Sequence, residues 1–496
     1  MKKTKKILLS SLVLLSIWSC NDQLDINRDP DLLAPEQIPL NSEFTGATTG
    51  VATISGSSYA LIGGFWAQYF TQSATANQYK DLDDYSLSST AQIITTTGPG
   101  SNGAWDSMYD AILDLRNVKK NALAQQNWNY YLMATVMEAY AFQVLTDSFG
   151  AVPFTEATNP EFPSPKYDSP EIIYDGLVAN LKDALSKDLS SSSTTVIPGA
   201  DDLVFSPLVY PTLNQRMEKW TEFANTMLLK LYLRQTNSRP SVAQTGIQQL
   251  LSSGAQFLQA DAAITQYIDE ANRSNPLYET DRRQLNVGTN LRASTTLYSF
   301  LQNNSDPRFA KFYNAGSSQN QGDFENAANA GAAVVKLQAT DPVFFISKAE
   351  SYFLQAEAAV RYNGGANAKT LYENGVNASF AQWGVSPGAL LTGAYAYPNG
   401  TLDNNLKAII TQKWISFFPG KGYEGFFEQK RTKIPAISPV PQSNIAYVPG
   451  QFSYSVNGTT GGKFPKRIIY PITEIQSNAN FPGLKPITDA LWYDAN

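Results

Sequence analysis

The sequence predicts a mainly α-helical protein: a scaffold of helix pairs that bears a large irregular, loop-rich portion and little strand. Three observations carry that expectation. Apolar residues recur with the 3.6-residue period of amphipathic helices over 104–125, 129–148, 169–188, 214–236, 240–253, 346–362, 367–382 and 402–418. These runs come as adjacent pairs joined by short turns. In 254–345 and 384–496 the period gives way to clusters of Asn, Gly, Ser, Asp and Pro, and the final 80 residues read as mostly irregular.

Residues 50–70 read as an apolar, helix-like stretch ahead of a Ser/Thr/Gln-rich loop. In 104–125 one stripe holds Trp105, Met108, Ile112, Leu115 and either Val118 or Lys119. In 129–148 it holds Leu132, Val136, Ala139, Tyr140 and Val144. Both are expected as surface helices with one buried face. Ser169-Pro170-Glu171 is a helix start, with Ser as N-cap and Pro at the first helical position. The clearest pair runs from Ala349 to Trp383 through Asn363-Gly364-Gly365. Its length matches the roughly 34-residue tetratricopeptide unit, and Ala356 and Ala359 are small enough for close helix packing.

The N-terminus divides into the parts of an export signal. Lys2, Lys3, Lys5 and Lys6 precede an apolar run, Ile7 to Trp18, that is shorter than the roughly 20 residues needed to span a bilayer. Cys20 follows, the one cysteine in 496 residues. Residues 1–19 are therefore expected to be a lipoprotein signal peptide, Cys20 the lipidated first residue of the mature chain, and 20–45 a polar tether. Residues 46–496 are expected to form one domain, with helix pairs within 103–253 and 346–418 and a ligand-facing, loop-rich portion within 254–345 and 384–496.

Composition excludes several functions. The formal charge is −6, and removing the signal takes away four lysines and no acid, leaving −10. Such a surface argues against nucleic-acid binding, which needs clustered Lys and Arg. Histidine is absent, so Ser-His-Asp and Cys-His nucleophile systems, HExxH proteases and His-ligated metals are ruled out. Aromatic residues make up 12%, including 26 Tyr, and Tyr and Trp can serve as stacking faces for neutral ligands.

Individual motifs are weak. Gly98 to Gly103 fits GxGxxG, but no βαβ alternation follows, so it reads as a loop before a helix. Asp25, Asn27, Asp29, Asp31 and Glu36 fit calcium-loop positions, yet Pro30 occupies the place that needs Gly. Asp81, Asp83 and Asp84 could hold a hard cation, but a polar loop is the better reading. No cofactor is called for, and a structural calcium ion is not indicated. With 43 acids, a carboxylate pair for glycoside hydrolysis could be drawn anywhere, so sequence alone says nothing of one. The candidate ligand-binding residues are aromatic and basic side chains set among Ser, Thr, Asn and Asp: Trp66, Tyr69, Tyr79, Tyr85, Tyr278, Arg283 and Arg292, with Arg282 beside them. For Trp66 burial is the stronger expectation.

Segments spread over nearly the whole chain resemble the SusD/RagB family of nutrient-binding outer-membrane lipoproteins, most closely its SusD-like branch. They are Leu24-Asp25-Ile26-Asn27, Phe65-Trp66-Ala67-Gln68-Tyr69, EAYAFQVLTDSFGAVPFTEA (138–157), RMEKWTEFANTMLLKLYLR (216–234), Asn275-Pro276-Leu277-Tyr278, Asn304-Ser305-Asp306-Pro307-Arg308, YFLQAEAAVR (352–361), QKWISFFPGKGYEGFFEQKRTKIP (412–435) and KRIIYPITE (466–474). Phe427 and Gln429 depart from the family pattern. The resemblance implies a tetratricopeptide-type scaffold and a non-catalytic lipoprotein on the outer face of the outer membrane. It also implies a partner, a SusC-type TonB-dependent transporter over which the protein acts as a lid, and a glycan or, in some members, a peptide as ligand. Two other readings stay open on the residues alone: a carboxylate-dependent glycoside hydrolase, and a helical scaffold that binds only proteins.

Overall fold

The computed structural model describes residues 38–94 and 103–494. The longer helices, in chain order, are α1 (Leu40–Ile54), α2 (Ala60–Trp66), α3 (Asp106–Ala124), α4 (Trp128–Phe149), α5 (Pro170–Leu185), α6 (Leu213–Arg234), α7 (Pro240–Ser252), α8 (Thr295–Asn303), α9 (Lys348–Tyr362), α10 (Ala368–Ala381), α11 (Leu402–Ser416) and α12 (Gly422–Thr432). Short strands pair antiparallel in three two-stranded ribbons: β1 (Phe70–Gln72) with β5 (Leu291–Ala293), β2 (Val152–Pro153) with β3 (Tyr167–Asp168), and β4 (Ala262–Ile264) with β6 (Val343–Ile346). The mainly helical expectation holds.

Local chemistry explains several boundaries. The Ser169 hydroxyl accepts from the Ile172 N–H at 3.5 Å ahead of Pro170, as the sequence predicts. At α6, Thr212 and Gln215 cap each other reciprocally, at 3.2 and 3.1 Å. The α9–α10 turn uses Gly364 and Gly365 with φ of 59° and 77°, angles that favour glycine. Where the two helices cross, a side chain at Gly375 would meet the Phe353 ring at 2.7 Å.

Three expectations change. The span read as tether to 45 already belongs to the body at Leu40: Phe44 is buried, with its ring edge-on to Tyr130 and Trp220 at 5.9 Å each. Through a π-helical turn at Ser55–Tyr59, α1 runs on into α2. Next, α4 is no surface helix, because every residue from Asn129 to Phe149 is buried. Its second face is covered by α5 and α6 as well as α3. On α3 the stripe resolves to Val118, which is buried, while Lys119 pairs with Glu138 at 2.8 Å. Finally, α12 lies in the stretch read as irregular, and its residues Gly422 to Arg431 are all buried. The charged side of α12, with Glu424, Glu428 and Arg431, faces buried ion pairs instead of water. Cys20, the signal and the calcium-loop pattern lie outside the described residues, as does the GxGxxG motif apart from Gly103.

A contiguous group of charges joins α4, α6, α9, α11 and α12. Five cations (Lys230, Arg234, Lys413, Lys421, Arg431) meet five carboxylates (Asp147, Glu350, Glu357, Glu424, Glu428), with every side chain at most 6% exposed. Lys230 lies 2.6 Å from Glu424 and 3.0 Å from Glu350, and Arg234 reaches Asp147, Glu424 and Glu428 at 2.6–2.8 Å. Burial raises the Glu357 and Glu424 carboxyls, but the cations beside them more than reverse this and hold both down to about 2. Close by, α2 and α12 touch backbone to backbone. A Cβ on Gly63 would fall 1.8 Å from the Tyr423 nitrogen, and one on Gly422 would fall 2.4 Å from the Gly64 nitrogen.

Candidate functional site

Five of the seven nominated ligand residues are interior. The Trp66 indole N–H donates to the Leu82 carbonyl at 3.0 Å, and its ring packs 5.1 Å from Phe426. Tyr69 is fully buried and donates its hydroxyl to the Trp414 carbonyl. Tyr79 packs on Phe65, and Tyr85 lies against Tyr454 and Phe464. Arg292, on β5, spends its guanidinium on the Ser73 hydroxyl at 3.2 Å and the Ala332 carbonyl at 2.5 Å. Their polar neighbours misled the reading because those neighbours are interior too. Asp83 is fully buried and accepts from the Thr71 hydroxyl, the Gln72 N–H and the Gln321 amide at 2.5–2.8 Å. Burial outweighs these bonds and pushes its carboxyl up to about 7. This polar layer fastens the loop-rich portion to the helices.

Tyr278 and Arg283 are half-buried and adjacent, with the guanidinium 5.5 Å from the ring centroid. Arg283 already pairs with Asp269 at 2.5 Å and Glu279 at 3.1 Å. Neither residue lines the cleft described next, although Asn275 and Leu277 do.

A cleft of about 540 Å³ opens between the loop preceding β6, the turn joining α11 to α12, and the residues following α10. Asn275 fastens one wall: its carbonyl caps the Leu277 and Tyr278 N–H groups at 2.9 and 3.1 Å, and its amide donates to the Asp341 carbonyl at 2.9 Å. Trp383 forms the opposite rim. It packs on Phe312 at 4.8 Å and Phe418 at 6.1 Å, and it stays partly exposed. Phe312 and Phe418 stack at 4.0 Å and hold that platform rigid. Gln338, Asp341, Gln382 and Ser347 add polar groups around it. At the base, Lys421 donates to the Phe345 carbonyl at 2.5 Å and pairs with Glu350. Burial pushes its ammonium down to about 8, against the pull of Glu350.

A cleft that combines a partly exposed aromatic face with amide, hydroxyl and charged groups can stack on C–H surfaces and bond hydroxyls. Sequence reasoning missed Trp383 by counting it into the second helix of its pair. The available signal was the Gly384 that follows, at φ 65°, which ends the helix and leaves the ring beyond it.

Residues 41–455 match the family model described as "Starch-binding associating with outer membrane". The chain belongs to the SusD-like family. A SusD homolog from Bacteroides uniformis superposes with a TM-score of 0.73 at 20% identity, covering 92% of this chain and 99% of that one. A chitin-binding SusD homolog from Flavobacterium johnsoniae gives 0.70 at 19%, covering 91% and 99%. A SusD homolog from Bacteroides vulgatus gives 0.69 at 20%, covering 91% and 98%. These likenesses bear out the helical, tetratricopeptide-like SusD fold. No curated protein matches the sequence. Among the described residues no helix is long and apolar enough to cross a membrane.

Proposed function

We propose that this SusD-like protein captures glycans at the cell surface and passes them to a SusC-type TonB-dependent transporter, covering it as a lid without catalysing a reaction. In this reading it is held to the outer leaflet of the outer membrane by lipid on Cys20. The observation that carries the proposal is the Trp383 cleft: a rigidly backed aromatic platform, partly exposed, in a cleft that polar groups also line. Stacking supplies affinity and the polar fringe supplies orientation, and polar desolvation keeps the net binding modest. Family membership and a chitin-binding neighbour of the same fold support the same reading.

The test is calorimetric titration of the purified protein with a panel of oligosaccharides, chito- and malto-oligosaccharides included, and with peptides as controls. Saturable glycan binding without product, weakened by Trp383→Ala, supports the proposal. Turnover abolished by a single Asp or Glu substitution overturns it, as does binding of peptides alone.

A further inference from the structure

The last turn of α12 borders a second hollow, of about 430 Å³, lined by Lys430, Lys433, Lys463, Lys466, Phe464 and Thr488 among others. The whole chain is acidic, at −6, yet four ammonium groups gather here. Among the described residues one carboxylate answers them: Asp494 pairs with Lys433, and with Lys466 at 2.8 Å. Lys430 has no carboxylate within ion-pair distance among the described residues. It is only 5% exposed, and its ammonium sits 5.1 Å from the Phe426 ring and 5.5 Å from Phe464. Burial pushes this lysine down to about 7; Asp494 opposes the shift, and Lys433 and Lys466 add to it. The partners of Lys430 are aromatic faces rather than a carboxylate, so a ligand anion reaching the hollow would supply the counter-charge that these rings do not. The turn at Gly461 and Gly462, with φ of 62° and 83°, carries Lys463 and Phe464 to the rim.

We infer that this hollow is a second binding site, which takes an oxyanion (carboxylate, sulfate or phosphate) borne on a small polar ligand. Its volume lies within the roughly 300–1,000 Å³ of small-molecule pockets. Lys430 lies nine residues beyond Lys421, about 14 Å along a helix. The two sites therefore stand at opposite ends of α12 and share no lining residue. Lys430 and Lys466 supply charge, Phe464 an apolar face and Thr488 a hydroxyl.

The test is titration of the full soluble chain with D-glucuronate, inorganic phosphate and sulfate, with glucose as the neutral control. At least one anion is expected to saturate the protein while glucose does not, and the glucuronate and phosphate arms distinguish a sugar acid from a free oxyanion. Lys430→Met is expected to weaken binding about tenfold or more, with the melting temperature unchanged or raised because a buried ammonium that lacks a carboxylate partner is removed. Lys463→Glu, at an exposed position, is expected to weaken binding with the fold intact. Raising salt from about 0.05 to about 0.5 M should weaken it as well, whereas Trp383→Ala should not. Failure of all three anions to saturate the protein would overturn the assignment. So would saturation that neither lysine variant changes.

Discussion

Arg431 closes on Glu357 through two N–H···O bonds of 2.7 Å, one to each carboxylate oxygen, with both side chains almost wholly buried. Bidentate pairs of this kind are among the stronger hydrogen-bonded contacts in proteins. Arg431→Met would leave Glu357 and Glu428 buried without their main counter-charge. The expected loss is about 3–5 kcal/mol, read as a lower urea midpoint. A loss below about 1 kcal/mol would mean that the pair behaves like a surface contact, contrary to its burial. Adding Glu357→Gln to that variant is expected to restore part of the loss, since the stranded charge is gone.

The same carboxylates set the acid limb of stability. Unfolded, Glu357 and Glu424 titrate near about 4.3; folded, they are held down to about 2. Their contribution is present above the unfolded value and is lost as pH falls toward the folded one. Asp83 and Glu43 act in the opposite sense. Burial raises both to about 7, with the Asp114 charge adding to the effect at Glu43. The folded state therefore binds more protons than the unfolded one between about 4 and 7, and stability falls as pH rises through that range. Melting temperatures taken from pH 8 to pH 2 should peak on the acid side of neutrality and drop steeply below about 4. A curve flat from pH 8 to pH 3 would contradict both assignments.

Two tryptophans separate site from core. Trp383→Ala is expected to reduce glycan affinity about tenfold or more, with little change in melting temperature. Trp66→Ala removes a buried ring and its N–H bond to Leu82, and should cost about 3–5 kcal/mol. A variant of Trp66 that melts normally and binds weakly would return that residue to the ligand surface.

The crossing of α2 and α12 admits no side chain. Gly63→Ala and Gly422→Ala each drive a methyl into the opposing backbone, which cannot step aside as a side chain can. Each is expected to lose more than about 3 kcal/mol, the upper range of ordinary overpacking, or to fail to fold, as measured by circular dichroism and urea melts. Gly254→Ala makes a useful contrast: its Cβ meets nothing, and only its φ of 72° is unfavourable.

Cys20→Ala is expected to release the protein from the membrane fraction while leaving glycan binding unchanged. Retention on membranes that lack the transporter would sink the anchor assignment.

Periodic helices such as α3 are legible because one face is solvated, opposite the Met108, Ile112, Leu115 and Val118 stripe. The Ser169 cap was legible because it is a local bond. Two helices that the body encloses, α4 and α12, are harder to read. The period of α4 implies a solvated face that the fold does not leave it, and the charged side of α12 reads as surface although it is buried. Partners far apart in the chain were beyond reach: Lys230 and Glu424 are separated by 194 positions, Arg431 and Glu357 by 74. The site residues were hardest. Aromatics among Ser, Thr and Asn look alike whether the polar groups bond water or, as around Asp83, each other. Trp383 looked like one more helix position.

The ten paired charges between the helices have a consequence for which packings are allowed at all. Apolar faces slide past one another at little cost, so a bundle held only by them has near neighbours one turn away. A slip of α12 by one turn, about 5.4 Å, would carry Glu424, Glu428 and Arg431 off their partners. Each stranded ion would then cost several kcal/mol. The charges work as a key that rejects neighbouring registers, whatever they add to the stability of the correct one. That selection fixes where both ends of α12 lie, and with them Lys421 at one cavity and Lys430 at the other.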